Sequence, residues 1–242
     1  MTVRVMGWSG PRNISTAMMR SWENRPDTEV RDEPFYAPWL AETGTGHPAR
    51  AETLAAHETD RAKVAAACAA PGPQGAPVFY QKQMVHHVPR GADLSFARDA
   101  RHFFLIRDPR RVAASYVKRF EDASAERLGF TRQLEIYEEV AALTGRDWPV
   151  LESETILAKP EAALRALCEA IGIPFSGDML HWPAGKRASD GAWAAVWYDA
   201  VERSTGFGDP SPEPGPLPEN LEAIAAEGRA PYDALKARAL RP

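Results

Sequence analysis

Apolar positions along this chain fall into two alternating patterns. Short apolar, β-branched or aromatic runs lie at Val3–Met6, Thr28–Arg31, Pro77–Tyr80, His102–Ile106 and Pro149–Leu151. Runs of that length, bounded by turn residues, predict strands. Between most of them the period becomes helical. Ile14, Met18 and Trp22 repeat at a spacing of four and predict a helix over Asn13–Asn24. The Ala-rich stretch Ala49–Ala69 is helix-prone. Pro109–Phe120 opens with a proline whose missing N–H costs nothing in a first turn. Thr131–Thr144 and Glu161–Ile171 come next, the second ended by Gly172. Strand then helix, repeated, is the pattern of a parallel sheet covered on both faces. The expected fold class is α/β, a three-layer parallel sheet with helices on both faces. Gly206–Pro218 is rich in Gly and Pro and reads as an arm, and Glu219–Leu240 as one or two terminal helices. The expected organisation is an α/β domain over residues 1–205, with residues 206–242 packing on it.

Composition narrows the functional classes. The chain has 242 residues, 44% hydrophobic and 26% charged, enough for a sizeable globular core. A net charge of −4 argues against a broad nucleic-acid-binding face, which needs a basic surface. Cys68 and Cys168 are the two cysteines, too few for a disulfide framework or a cysteine-based zinc site, and they read as buried small hydrophobes. No metal site is expected. No apolar run reaches the length of a membrane span, and the first residues enter a strand with no apolar leader. The expectation is a cytoplasmic protein without a membrane partner. Oligomeric state is open, a homo-oligomer included.

Two segments carry candidate chemistry. After the first strand, Gly7-Trp8-Ser9-Gly10-Pro11 leads through Arg12 and Asn13 into a helix that begins near Ile14, with Ser15 and Thr16 in its first turn. The amides that open a helix lack internal partners and lie at the positive end of its dipole, so phosphate or sulfate sits well there. The alternative is that Asn13 or Ser15 merely caps the helix. After the fourth strand, Arg107-Asp108-Pro109-Arg110-Arg111 opens another helix, with Ser115 eight residues after Arg107. Here Asp108 can be a plain cap on a solvated basic helix.

Together the two segments resemble the sulfotransferase family that uses 3′-phosphoadenosine 5′-phosphosulfate (PAPS). Gly10-Pro11-Arg12-Asn13-Ile14-Ser15-Thr16 resembles the loop that binds the 5′-phosphosulfate. Arg107 through Ser115 and Tyr116 resembles the 3′-phosphate motif, in which an Arg and a Ser eight residues later hold that phosphate. The resemblance is to a bacterial subgroup sometimes labelled branched-chain aminotransferase-like. It implies a P-loop-NTPase-like sulfotransferase fold with PAPS as sulfuryl donor and Gly10, Pro11, Arg12, Asn13, Ser15, Thr16, Arg107 and Ser115 as cofactor-binding residues. The segments Val150–Glu154 and Leu164–Ile173 resemble the strand and helix after the 3′-phosphate region. Gly185-Lys186-Arg187 looks like the late basic loop over the nucleotide, which makes Lys186 and Arg187 candidates for the 3′-phosphate. A solvated charged loop is the alternative. The chain departs from the commoner pattern in carrying Arg12 where Lys is usual and Ile14-Ser15 where Gly-Thr is usual.

Sulfuryl transfer to a hydroxyl needs a cation at the departing oxygen and a base for the acceptor proton. Arg12 supplies the first. Glu33, after the second strand, is the favoured base, with His86 or His87 second. In many relatives a Lys at the end of the third strand precedes a catalytic His by two residues; Lys82 fits, but that later position is Met84. Trp8, Phe35, Tyr36 and Trp39 are candidates to wall an apolar acceptor pocket, and Trp193 and Trp197 read as core. The expected function is transfer from PAPS to a small-molecule acceptor. The alternatives are a nucleotide-binding protein of the same fold without transfer activity, and a kinase-like phosphotransferase. The last lacks its Gly-Lys pair.

Overall fold

Five parallel strands, β1 (Val3–Ser9), β2 (Thr28–Asp32), β3 (Val78–Met84), β4 (Arg101–Ile106) and β5 (Val150–Glu152), form one sheet in the order β2-β3-β1-β4-β5. The computed structural model describes residues 2–117 and 124–242. The helices of the described residues are α1 (Ser15–Glu23), α2 (Tyr36–Thr43), α3 (Arg50–Ala56), α4 (Arg61–Ala69), α5 (Pro109–Tyr116), α6 (Ala125–Leu128) and α7 (Phe130–Thr144). They continue with α8 (Ser153–Ala158), α9 (Pro160–Ile171), α10 (Ala194–Trp197), α11 (Asp199–Glu202), α12 (Glu219–Glu227) and α13 (Arg229–Lys236). Residues 118–120 of the expected fifth-helix stretch lie outside the described residues.

The period of two along each strand sorts side chains onto two cores. Val5, Tyr80, Phe103, Leu105 and Leu151 face a core closed by Met18, Met19 and Trp22 of α1, Leu40 of α2, and Leu164, Leu167 and Ile171 of α9. Met6, Trp8, Phe104, Ile106 and Val150 face the other, closed by Val64 and Cys68 of α4, Ile136 and Val140 of α7, and Tyr232 and Leu235 of α13. The architecture is thus the three-layer α/β sheet. A third cluster joins Val112, Ala113 and Tyr116 of α5 to Leu128, Phe130 and Leu221 of α12.

Three boundaries differ from the sequence expectation. β1 does not break at Gly7 but runs on to Ser9. A side chain at Gly7 has no room: a Cβ there would lie 2.6 Å from the Tyr80 hydroxyl and 2.7 Å from Phe103 Cζ. β3 continues through the polar residues Gln81, Lys82 and Gln83 to Met84, and hydrogen bonds inside the fold take up the donors of their side chains. The Ala-rich stretch is two helices. Asp60 starts the second, its side chain accepting from the amides of Ala62 and Lys63.

The chain leaves β1 toward β2 on one side, and leaves β4 toward β5 on the other. Ligands of such sheets bind beyond the carboxyl ends of the strands at that reversal. Both candidate anion segments open there, side by side.

Candidate active site

The first anion segment turns tightly. Arg12 (φ 64°) and Ile14 (φ 56°) both adopt the left-handed conformation, which non-glycine residues avoid. Ile14 is the residue before the helix and no side chain caps it. Asn13 does not cap either, since its Nδ2 donates to the Leu105 carbonyl in β4. Ser15 stands in the first turn of α1. Gly10 is pinned, its amide donating to Gln133 Oε1, and a Cβ there would lie 2.7 Å from the Leu128 carbonyl oxygen. The opening amides of α1 therefore face the mouth without a side-chain cap.

The second segment meets the first. Asp108 caps α5 through the amide of Arg110, at 2.9 Å. Arg107 Nη1 donates to the carbonyl of Arg12 at 3.1 Å, and its Nε donates to Glu154 at 2.8 Å. Arg12 Nε in turn donates to Ser115 Oγ at 2.9 Å. Ser153 Oγ closes the seam by donating to the Asn13 and Ile106 carbonyls. Arg12 is hydrogen-bonded into one unit with Arg107 and Ser115 of the distant second segment.

Beside the cradle lies a buried charged cluster. Lys82 is 1% exposed, with its ammonium 3.0 Å from Thr16 Oγ1, 3.1 Å from Asp32 Oδ1, 2.7 Å from Glu33 Oε1 and 2.6 Å from the Tyr198 hydroxyl. Asp32 ends β2, and Glu33 then takes a positive φ of 37°. Neighbouring residues of a strand point to opposite faces. The left-handed turn at Glu33 is what lets both carboxylates reach one ammonium. Burial opposes charge on Lys82, but Asp32 and Glu33 outweigh it and hold the lysine above its usual value. Burial pushes the Glu33 carboxyl up, and the Asp32 charge adds to this against the pull of Lys82. Burial and the two carboxylates push the Tyr198 hydroxyl well up, so it stays protonated.

A cavity of about 360 Å³ connects the two parts. Arg12, Ser15, Thr16, Glu33 and Lys82 form one side, and Tyr36, Trp39, His86, His87 and Trp197 much of the other. His87 stacks on Tyr36 at 4.6 Å between ring centroids, and its Nδ1 lies 3.8 Å from Glu33 Oε2. Burial drives His86 down to about 3 and His87 well below the usual histidine value, so both rings are neutral at neutral pH.

A sulfotransferase domain family model matches residues 3–239 of this chain. The chain belongs to that family. Over 214 residues it is 34% identical to branched-chain-amino-acid aminotransferase-like protein 2 of Arabidopsis thaliana, and 35% identical to protein 1 of that name. Each match covers 88% of this chain and 38% of the plant protein. Three solved structures share the fold. They are the sulfotransferase domain of the curacin biosynthetic pathway (TM-score 0.55, 13% identity), that of the Synechococcus PCC 7002 olefin synthase (0.59, 17%) and a sulfotransferase from Alicyclobacillus acidocaldarius (0.56, 13%). These matches cover 94%, 93% and 99% of this chain and 97%, 94% and 98% of the respective relatives.

Within this sulfotransferase domain, the sequence candidates divide by place. Gly10, Pro11, Arg12, Asn13, Ser15, Thr16, Arg107 and Ser115 gather at the reversal, and Glu33, Lys82, His86 and His87 line or floor the adjoining cavity. Lys186 and Arg187 do not join them. Arg187 Nε lies 3.7 Å from Glu23, at the far end of α1, and Lys186 is exposed nearby. Eight residues of helix put that end roughly 12 Å from Ser15. The loop is held there by Asp190, which accepts from the Arg187 amide and pairs with Arg20. Trp8 and Phe35 are not cavity walls. Trp8 packs on Phe104 and donates to His102, and Phe35 packs on Phe96. Trp193 is core, whereas Trp197 lines the cavity. Sequence reasoning missed Tyr198, Glu154 and Gln133 as parts of the site. Tyr198 lies 116 residues after Lys82, and no spacing links them.

Among the described residues, no helix is long and apolar enough to cross a membrane.

Proposed function

We propose that this sulfotransferase domain moves a sulfuryl group from PAPS to the hydroxyl of a small-molecule acceptor. The observation that carries this reading is the hydrogen-bonded union of Arg12, Arg107 and Ser115 at the carboxyl ends of β1 and β4. The donor set suits a doubly anionic nucleotide. An uncapped helix start, two hydroxyls and two guanidinium groups stand together.

The residues that would hold PAPS are Gly10, Pro11, Arg12, Asn13, Ser15 and Thr16 at the phosphosulfate and Arg107 and Ser115 at the 3′-phosphate. When bound, PAPS supplies an electrophilic sulfur on a phosphate leaving group. Arg12 and the opening amides of α1 stabilise negative charge at the bridging oxygen, and Lys82 adds a cation beside Thr16. Glu33 accepts the acceptor's proton on a carboxylate that faces the cavity and is 12% exposed. Its raised proton affinity improves it as a base. The neutral His86 and His87 rings, with Tyr36, Trp39 and Trp197, wall the acceptor side. The aminotransferase wording in the plant relatives' names gives no activity to this chain, which spans 38% of their length.

Calorimetric titration with 3′-phosphoadenosine 5′-phosphate, with 5′-AMP and ATP as controls, tests the reading. Tight binding that requires the 3′-phosphate is the expected result. Preference for ATP with magnesium would replace it by a kinase-like function.

A further inference from the structure

The Lys82 ammonium has three N–H donors and four oxygen acceptors within 3.1 Å. Their chemistry fixes the direction of the hydrogen bonds. An ammonium only donates and an ionised carboxylate only accepts. The Tyr198 hydroxyl therefore accepts from Lys82 at 2.6 Å and gives its own proton to Asp32 Oδ2, also at 2.6 Å. Trp193 Nε1 donates to the same hydroxyl at 3.2 Å, and the Gly191 amide donates to Asp32 Oδ2 at 3.2 Å. Of the four acceptors, Thr16 alone belongs to the anion cradle.

Tyr198 bridges the ammonium and Asp32 through one hydroxyl, and so sets where Nζ sits between the carboxylates and Thr16. We infer that Tyr198 and Asp32 are positioning residues for sulfuryl transfer, a clamp that holds the Lys82 ammonium against Thr16 at the edge of the cradle. The inference rests on the proposed function and deepens it. Asp32 ends β2, and the segment Gly191–Tyr198, from outside the two anion motifs, meets it there only through the fold. It acts through Lys82 and needs no contact with donor or acceptor.

The test uses the full chain, with isotope-labelled lysine, in wild-type form and as Tyr198→Phe. The Lys82 ammonium resonance is assigned by its loss in Lys82→Arg. In the wild type it is expected to be protected from exchange, and in Tyr198→Phe to shift and lose protection. Calorimetry then compares PAPS with 3′-phosphoadenosine 5′-phosphate, which lacks the sulfuryl group. Tyr198→Phe is expected to weaken PAPS about tenfold, the size of one charged hydrogen bond, and to change the other nucleotide less than about twofold. A purely structural role for Tyr198 would weaken both alike. Asp32→Asn gives the same comparison if Tyr198→Phe does not fold. Unchanged Lys82 signals, or equal losses for both nucleotides, overturn the clamp in a protein that still binds nucleotide. Failure of the wild type to bind either nucleotide overturns the transfer reading, and the inference with it.

Discussion

Arg107 does two things at once at the junction of the anion segments. It ties the Arg12 carbonyl to β4, and it presents a guanidinium to the mouth of the sheet between Arg12 and Glu154. If it holds the 3′-phosphate, Arg107→Ala should weaken 3′-phosphoadenosine 5′-phosphate binding by about 1.5–3 kcal/mol, the value of a hydrogen bond to a charged group. Binding of 5′-AMP, which lacks that phosphate, should change little. Calorimetry on both nucleotides checks it, and equal losses would remove the role. The strained residues concentrate at the same place. Of the described non-glycine residues with positive φ, Arg12, Ile14 and Glu33 all border the site, and the fourth is Ala49. Such conformations persist where surrounding contacts over-determine them. Arg12, Glu33, Lys82 and Arg107 were legible as candidates because each sits just beyond, or late in, a strand, and Thr16 because it opens a helix after one. Tyr198 was not, because a hydrogen bond across the fold leaves no mark on local spacing.

At the scale of elements, β1 shows how composition misleads about strand ends. Glycine reads as punctuation, yet Gly7 is an interior strand residue opposite Lys82 on β3 and Phe103 on β4. Its hydrogen makes room for Tyr80, Phe103 and Trp22, which stack with Tyr80–Trp22 centroids 5.5 Å apart. Gly7→Ala should cost about 1–3 kcal/mol through overpacking, read as a lower urea midpoint at unchanged slope. Because the same strand delivers the cradle, any shift of β1 would also be felt at Arg12. β3 carries the opposite lesson. Its polar run Gln81-Lys82-Gln83 looks like a loop to a hydrophobicity pattern, but Gln81 and Lys82 find partners on α4 and β2, and Gln83 donates to Gln81. α1 repays the pattern best, since Met18 and Trp22 lie on the buried face that the spacing of four predicted.

The whole molecule couples its stability to pH through buried neutral histidines. His102 accepts from Trp8 Nε1 on Nδ1 at 3.0 Å and donates from Nε2 to the Ala97 carbonyl at 2.9 Å. A second proton would set two donors face to face. Burial takes this ring down to about 4. The unfolded chain, with histidine near 6.5, binds protons that the folded state refuses, so stability is full above about pH 6.5 and falls as pH drops toward 4. One such group contributes about 1.4 kcal/mol per pH unit in that window. His86 and His87 shift in the same direction and steepen the fall. His102→Gln, whose amide can make both bonds without titrating, should flatten the dependence by about that slope in urea unfolding between pH 6 and 4.5.

By itself the sequence determined the layering, the five strands and the two anion segments. Hydrophobic period and turn chemistry are local, and a parallel α/β sheet sets the loops leaving its strands along one edge. The tertiary structure alone decided which groups meet there. It carried Arg187 to Glu23 instead of Ser115, turned Trp8 and Phe35 into core, and brought Tyr198 to Lys82. Those outcomes depend on how helices from distant parts of the chain pack over the strand ends. Packing of that kind is settled by volume and hydrogen-bond satisfaction across the fold, and local sequence does not encode it.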